Sequence, residues 1–212
     1  MKKNYTVVFQ GDSITDAGRN YGQKIPNREM GNGYAALLAA QITSAFPAAE
    51  PICFNRGISG NRVVDLYARW KIDALNLKPD FLSILIGVND TWHEFESGNG
   101  VEVPRYERIY RELLEWTRRE LPATGILLIE PFAVSSELVR PEWLTEIAAR
   151  QQAVRRLAKE FSTLFVSDQW LKDAEKEAPG LYWLLDGVHP TYAGHRRLAD
   201  AWWKEATKEF LK

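Results

Sequence analysis

Short apolar runs alternate along the chain with longer segments whose apolar residues recur at helical spacing. The runs span residues 7–9, 51–55, 81–86, 126–129 and 164–166. Brief, almost wholly apolar runs of this kind are typical of parallel strands that are buried on both faces. Their regular alternation with helical segments predicts an α/β fold.

The helical segments cover residues 33–46, about 62–70, 104–121, 141–161 and about 192–210. Proline marks the end of the first and the start of the third and fourth, as expected at helix boundaries. Between them we predict a long loop over 90–104 and an irregular loop over 181–191. The pattern as a whole predicts a three-layer α/β/α sandwich around a central, mostly parallel five-stranded sheet, with residues 1–212 forming a single domain.

Three successive strands end in glycine followed by small polar residues. These segments are Gly-Asp-Ser at 11–13, Gly-Ile-Ser-Gly at 57–60 and Gly-Val-Asn-Asp at 87–90. The carboxyl ends of parallel strands lie along one edge of a sheet, where open α/β folds bind their ligands, so the three loops should converge. Turn formation explains any one of them. The three together favour a functional site, with Ser13 as its candidate nucleophile.

A serine hydroxyl becomes a good nucleophile when a histidine takes its proton and a carboxylate orients that histidine. The chain has three histidines. His189 follows Asp186 by three residues in a turn-like segment, so the carboxylate can fold back onto the ring. His195 lies within the last helical segment, which favours a packing or surface role. His93 is predicted at the rim of the site, where it is a candidate for contact with substrate.

These segments, together with Asp-Gly-Val-His at 186–189, resemble the four conserved blocks of the SGNH hydrolases, the GDSL-type esterases and lipases. The order of the blocks matches from the first strand to the last helix, so the resemblance covers nearly the whole chain. It implies a flavodoxin-like SGNH hydrolase fold and catalysis through an acyl-enzyme. Ile14 stands where the name of the family has leucine, a common apolar variant.

The resemblance also implies a role for each matching residue. Ser13 would be the nucleophile, and Asp186 and His189 would complete a catalytic triad. The backbone N–H groups of Ser13 and Gly60 and the side-chain amide of Asn89 would form the oxyanion hole.

The segments 30–34, 57–61 and 87–92 are most similar to those of bacterial carbohydrate acetylesterases, including acetylxylan esterases. Trp92 fits this likeness because sugar faces stack on indole rings, although packing at the rim explains it equally well. We therefore predict a serine esterase acting on short acyl esters, above all acetyl groups on carbohydrates such as xylo-oligosaccharides. A lysophospholipase or thioesterase of the same family is the alternative, although residues 95–104 are too polar for an apolar lid.

Two other classes of protein deserve comparison. A metal-dependent phosphatase could use Asp12, Asp16 and Asp90, but its two strand-end aspartates should be separated by one residue, and here they are four apart. No His/Asp cluster has the spacing of metal ligands. A non-catalytic sugar- or nucleotide-binding module is the second possibility, but no Gly-x-Gly-x-x-Gly follows the first strand. We expect neither a cofactor nor a metal.

Composition and net charge also bear on which partners the protein can have. The 212 residues carry 27 basic and 28 acidic side chains, a net charge of −1, which gives no electrostatic case for binding nucleic acid or a membrane surface. The apolar stretch after Met1 is too short for a signal peptide and no run could span a bilayer, so we expect a cytoplasmic protein. Cys53 should be a buried structural thiol. Trp203 lies off the core-facing stripe of the last helix. A contact between the subunits of a homo-oligomer is one explanation for an aromatic residue at this position.

Overall fold

Five strands form one parallel sheet in the order β2-β1-β3-β4-β5. The structure is a computed structural model that describes residues 1–22 and 25–210. The strands are β1 (Thr6–Gly11), β2 (Ile52–Asn55), β3 (Phe81–Leu85), β4 (Gly125–Ile129) and β5 (Leu164–Val166). Each coincides with a predicted apolar run, and the α/β fold with a five-stranded sheet is confirmed.

Successive residues of a strand point to opposite faces of the sheet. Because the strands are apolar on both faces, helices cover both faces of the sheet. The main helices are α2 (Tyr34–Ala45), α3 (Val63–Asp73), α5 (Val103–Glu120), α6 (Pro141–Glu160) and α9 (Tyr192–Phe210). Val7 and Phe9 pack beneath α2 and α9, whereas Val8 packs beneath α3 and α5. Cys53 is buried, and burial raises the pKa of its thiol to about 12.

Besides the 3₁₀ helices Pro47–Ala49 and Leu75–Leu77, four shorter α-helices complete the described part of the chain. They are α1 (Ser13–Asp16), α4 (Val88–Ser97), α7 (Gln169–Ala174) and α8 (Gly180–Trp183). The loop predicted over 90–104 is wrong in its first half, which is α4. The glycine-containing end of that stretch suggested a loop, but Gly98 instead ends the helix in the left-handed conformation, with φ 64°. Phe95 anchors α4 by stacking on Trp143 at 5.8 Å between ring centroids.

The last helix carries adjacent tryptophans with different surroundings. Trp202 is buried in the core and donates from Nε1 to the hydroxyl of Ser83 at 2.9 Å. Trp203 is partly buried and packs against Phe46 and Phe210 of the same chain. Within residues 1–22 and 25–210, no helix has the length and apolar character needed to cross a membrane.

Candidate active site

Ser13 lies where β1 gives way to the short helix α1. The carboxylate of Asp12 caps this helix by accepting the N–H of Ile14 at 3.0 Å. As the first residue of α1, Ser13 has a backbone N–H with no partner inside the helix. The strand therefore delivers both the hydroxyl and a free N–H of one residue to the carboxyl edge of the sheet.

The structure brings Ser13, His189 and Asp186 together, although the serine and the aspartate are 173 positions apart in the sequence. The hydroxyl of Ser13 lies 2.8 Å from Nε2 of His189. Nδ1 of the same ring lies 2.7 Å from Oδ2 of Asp186. Since a carboxylate only accepts, the neutral ring carries its hydrogen on Nδ1, and the lone pair of Nε2 faces the serine.

The turn around Asp186 fixes this geometry. Its Oδ1 accepts the backbone N–H groups of Val188 at 2.9 Å and His189 at 2.8 Å. Burial alone would raise the pKa of Asp186, but the hydrogen bonds from His189 and Val188 outweigh it and hold that pKa below its ordinary value. The carboxylate therefore stays charged, as it must to stabilise an imidazolium.

The two further candidates for oxyanion donors are Gly60, in the second strand-end loop, and Asn89, in the third. Gly60 has φ +80°, a conformation that side chains disfavour, and open space where a Cβ would be. Asn89 is buried in the first turn of α4, and its Nδ2 donates to the carbonyl of Asn61 at 3.1 Å. Among the described residues, no group of the protein accepts the backbone N–H of Ser13 or Gly60.

The three strand-end loops meet, as their positions on the sheet predict. Oδ2 of Asp16 accepts both the N–H of Ser59, at 3.0 Å, and its hydroxyl, at 2.8 Å. This joins the first loop to the second. The bond from Asn89 to Asn61 then joins the second loop to the third.

Asp12 and Asp90 accept backbone N–H groups in the buried interior beneath the loops. Asp90 accepts the N–H of Val63 at the start of α3, with distances of 3.1 and 3.2 Å to its two oxygens. Burial raises the pKa of each carboxyl to about 7. With Asp16 bonded to Ser59, all three aspartates of the phosphatase alternative accept backbone N–H groups in and around the strand-end loops.

Trp92 and His93 lie on α4, in the turn that follows Asn89. The ring of Trp92 is 5.9 Å from that of His189 and 5.5 Å from that of Trp143, between centroids. The Trp92 indole is thus part of the wall around the histidine. His93 is half-buried one residue further on.

Sequence reasoning missed two polar side chains that hold the loops. Nδ2 of Asn55, at the end of β2, donates to the carbonyl groups of Thr15 at 2.6 Å and Met30 at 3.0 Å. Arg69 of α3 donates to the carbonyl of Gly11 at 3.1 Å and to the side chain of Asn61 at 2.7 Å. A polar residue closing an apolar strand run is a usable signal for Asn55. Arg69 has no such signal, because its acceptor in the nucleophile loop, Gly11, lies 58 positions away in the sequence.

A serine–imidazole–carboxylate chain next to free N–H donors meets the needs of acyl transfer. The imidazole can take the proton of the hydroxyl, and the donors can stabilise the oxyanion that forms. The geometry thus fits the chemistry that the sequence resemblance implies.

Comparison with known proteins agrees with this geometry. The profile of the GDSL-like lipase/acylhydrolase family matches residues 9–197. An acetylxylan esterase of Geobacillus stearothermophilus is 34% identical over 97% of this chain and 95% of its own.

Solved structures give the same result. A GDSL-like protein from Parabacteroides merdae has 40% identity and a TM-score of 0.94, covering 98% of this chain and 97% of its own. A catalytic mutant of Axe2, an acetylxylan esterase from Geobacillus stearothermophilus, has 32% identity and a TM-score of 0.87, covering 97% and 95%. With matches of this extent in both sequence and fold, the chain belongs to the GDSL-like lipase/acylhydrolase family and is a carboxylic ester hydrolase.

Proposed function

We propose that this esterase removes acetyl groups from carbohydrates such as xylo-oligosaccharides, through a Ser13–His189–Asp186 triad and an acyl-enzyme. The observation that carries the proposal is the chain of contacts from the Ser13 hydroxyl to His189, at 2.8 Å, and from His189 to Asp186, at 2.7 Å. The relative Axe2 supports it, since its catalytic mutants include changes of a serine and of an aspartate and a histidine three residues apart.

In the first half of the reaction, Oγ of Ser13 attacks the ester carbonyl carbon while Nε2 of His189 takes the hydroxyl proton. The tetrahedral intermediate carries its negative charge on the former carbonyl oxygen. Asp186 stabilises the imidazolium through the bond at Nδ1. As the intermediate collapses, His189 returns the proton to the sugar oxygen, and the alcohol leaves an acetylated Ser13.

Water reverses these roles in the second half. His189 takes a proton from the attacking water, which adds to the acyl carbon and forms a second tetrahedral intermediate. Collapse breaks the bond to Ser13, whose oxygen recovers the proton from His189, and acetate is released. The ester and one water are thereby converted into an alcohol and a carboxylic acid.

The oxyanion hole of this proposal consists of the N–H groups of Ser13 and Gly60 and the amide of Asn89. Three features support it. The first N–H of α1 is free by its position in the helix. The left-handed Gly60 has open space where a Cβ would stand, and no group of the described residues accepts its N–H. Only one amide hydrogen of Asn89 is used by Asn61.

We also propose that Trp92 and His93 contact the substrate. The contact of the Trp92 ring with His189 puts an indole face within reach of a bound acyl group or sugar. Trp143 packs behind this indole and restricts its movement. A fixed aromatic wall close to the nucleophile suits a short acyl group better than a long chain.

Hydrolysis of a panel of esters, followed as the carboxylic acid that each one releases, tests the proposal. The panel contains acetylated xylo-oligosaccharides, choline esters, phospholipids and thioesters, each tested with the wild type and with Ser13→Ala, with and without EDTA. We expect the highest kcat/KM on the acetylated oligosaccharides, insensitivity to EDTA and loss of turnover in Ser13→Ala. A preference for phospholipids or thioesters would overturn the substrate assignment, and full activity of Ser13→Ala would overturn the nucleophile.

A further inference from the structure

A groove of about 330 Å³ lies beside the loop that carries His189. This volume is at the lower end of the range for small-molecule sites, roughly 300 to 1000 Å³. The residues that line it are Asn32, Leu185, Pro190, Thr191, Tyr192 and His195. We refer to these six residues as the His195 groove, and none of them takes part in the chemistry described above.

The His195 groove is lined by Asn32, ahead of α2, and by residues on either side of the Asp186–His189 turn. Asn32 forms one wall, and its N–H donates at 2.9 Å to the carbonyl of Ala17, the residue that ends α1. Leu185 also lines the groove, and its N–H donates at 2.8 Å to the carbonyl of His189. The groove is therefore attached both to the helix that starts with Ser13 and to the segment that carries His189.

This position matches the alcohol side of an ester. In acyl transfer the histidine must return its proton to the departing alcohol, so that alcohol lies next to Nε2 of the base. Leu185 precedes the Asp186–His189 turn, and residues 190–192 follow it directly. A leaving group protonated by His189 thus has the His195 groove beside it.

The floor of the groove offers a neutral hydrogen-bond donor. His195 is more than nine-tenths buried, and its Nδ1 accepts the N–H of Tyr34 at 3.1 Å. The neutral ring must then carry its hydrogen on Nε2, for which the described residues provide no acceptor. Burial lowers the pKa of His195 to about 4, so the ring is uncharged near neutral pH.

The walls combine exposed apolar surface with a polar amide. The side chains of Tyr192 and Leu185 are 79% and 75% exposed, which is unusual for residues of this size. Asn32 also lines the groove, and its side-chain amide has no partner among the described residues. An aromatic face together with neutral hydrogen-bonding groups suits a sugar ring, which has an apolar face and hydroxyl edges.

The charge around the groove argues against phosphate-bearing alcohols. No lining residue is charged near neutral pH. The two arginines that follow His195 are each engaged elsewhere, Arg196 with Asp200 and Arg197 with Glu177. A lysophospholipid or a coenzyme A thioester would bring phosphate groups to a surface without an available cation.

We propose that the His195 groove is a subsite for the leaving alcohol, where a pyranose ring stacks on Tyr192 and its hydroxyls bond to Asn32 and to Nε2–H of His195. This proposal rests on the proposed deacetylation of carbohydrates and adds the place where the sugar is held. It makes Tyr192 and Asn32 determinants of specificity for the sugar.

The experiment compares acetylated xylobiose with ethyl acetate, whose leaving alcohol has no ring to stack. The variants are Tyr192→Ala and Asn32→Ala, and the matched control is Tyr67→Ala, an exposed tyrosine on α3. We expect the ratio of kcat/KM for xylobiose acetate to that for ethyl acetate to fall about three- to tenfold in Tyr192→Ala and in Asn32→Ala, mainly through KM. The control should keep the wild-type ratio.

Other outcomes separate the subsite from the proposed function. If the wild type prefers xylobiose acetate and neither groove variant changes the ratio, the subsite is wrong and the carbohydrate function stands. If Tyr67→Ala lowers the ratio as much as Tyr192→Ala does, the effect is not local and the subsite is also overturned. If the wild type hydrolyses ethyl acetate but not xylobiose acetate, the proposed carbohydrate function itself fails, and the subsite with it.

Discussion

Nδ2 of Asn89 donates a hydrogen bond to the carbonyl oxygen of Asn61 at 3.1 Å, across the gap between the third and second strand-end loops. This bond uses one of the two amide hydrogens and fixes the plane of the amide. The second amide hydrogen then keeps a fixed direction. No free energy is needed to reorient it when negative charge develops on the substrate oxygen. Such fixed donors contribute more to catalysis than mobile ones, because they need no reorganisation.

We therefore predict that Asn89→Ala lowers kcat by about 10²- to 10³-fold, the usual effect of losing one oxyanion donor. KM should change little, because the donor acts mainly in the transition state. Steady-state kinetics on p-nitrophenyl acetate measures both constants. The exposed Asn76, outside the site, provides the matched control Asn76→Ala. A loss carried wholly by KM would instead make Asn89 a substrate-binding residue.

The second prediction concerns the pH dependence of activity. His189 must be neutral to accept the proton of Ser13, so kcat/KM should rise with pH as the imidazole loses its proton. Asp186 does not contribute to this limb, because its hydrogen bonds hold its pKa below the ordinary range for a carboxyl group. A pH–rate profile from pH 4.5 to 8.5 gives the answer, and a flat profile from acid to neutral pH contradicts the assignment of His189 as the base.

The partner of that histidine can be tested separately. Asp186→Asn should lower kcat by roughly 10⁴-fold, because the amide no longer fixes the tautomer or stabilises the imidazolium. Circular dichroism should show a folded protein, since Oδ1 of asparagine can still accept the N–H groups of Val188 and His189. Activity close to the wild type would remove Asp186 from the triad.

The fourth prediction concerns stability and the buried carboxyls of Asp12 and Asp90. Burial raises the pKa of each to about 7, from about 4 in an unfolded chain. The folded state therefore binds more protons than the unfolded state between these values. Stability from this source is complete below about pH 4 and is lost as pH rises towards 7, by up to about 1.4 kcal/mol per pH unit and group.

The titration of His195 changes the stability of the fold with pH in the opposite direction. The effect of the two carboxyls is therefore measured by comparing variants with the wild type. Burial lowers its pKa to about 4, which means that stability falls as pH drops below about 6.5, the value for an unfolded histidine. Asp12→Asn and Asp90→Asn leave the His195 effect in place and each remove one carboxyl effect. Urea unfolding at pH 5 to 8 should show each variant gaining stability relative to the wild type as pH rises. Parallel curves would show that these carboxyls do not titrate as their burial implies.

The sequence allowed the strands and the strand-end loops to be predicted because both depend on local signals. Apolar runs mark the strands, and Gly-Asp-Ser and its counterparts mark their ends. The helix α4 was missed because Trp92 and Phe95 are held by Trp143, more than forty residues away. Contacts of this kind depend on tertiary packing and leave no periodic signal in a short polar segment.

The hydrogen bonds that support the site could not be predicted from the sequence, for the same reason. Asp16 could be noticed in the sequence, but its bonds to Ser59 require that β1 and β2 be neighbours. The His195 groove likewise combines Asn32 with residues 185–195, which are separated by about 150 positions. Local patterns thus predict which loops form the site, whereas the side chains that hold them become visible only in the fold.

Arg69 carries the last prediction, since one guanidinium reaches both loops that flank the nucleophile. It donates to the carbonyl of Gly11, at the end of β1, and to the side chain of Asn61, which follows Gly60. It also donates to the carbonyl of Arg56 at 2.8 Å. A lysine keeps the charge but has no planar fork to reach three acceptors in different directions.

Arg69→Lys should therefore destabilise the fold by about 2 kcal/mol, as expected when charge-assisted hydrogen bonds are lost from a largely buried group. It should also lower kcat more than it changes KM, because Gly60 and Asn89 would no longer be held at a fixed distance from Ser13. Urea unfolding and kinetics on p-nitrophenyl acetate measure the two effects, with Arg119→Lys on the exposed end of α5 as the control. If Arg69→Lys lost stability while its kcat, measured well below the unfolding transition, equalled that of the wild type, Arg69 would support the fold without positioning the site.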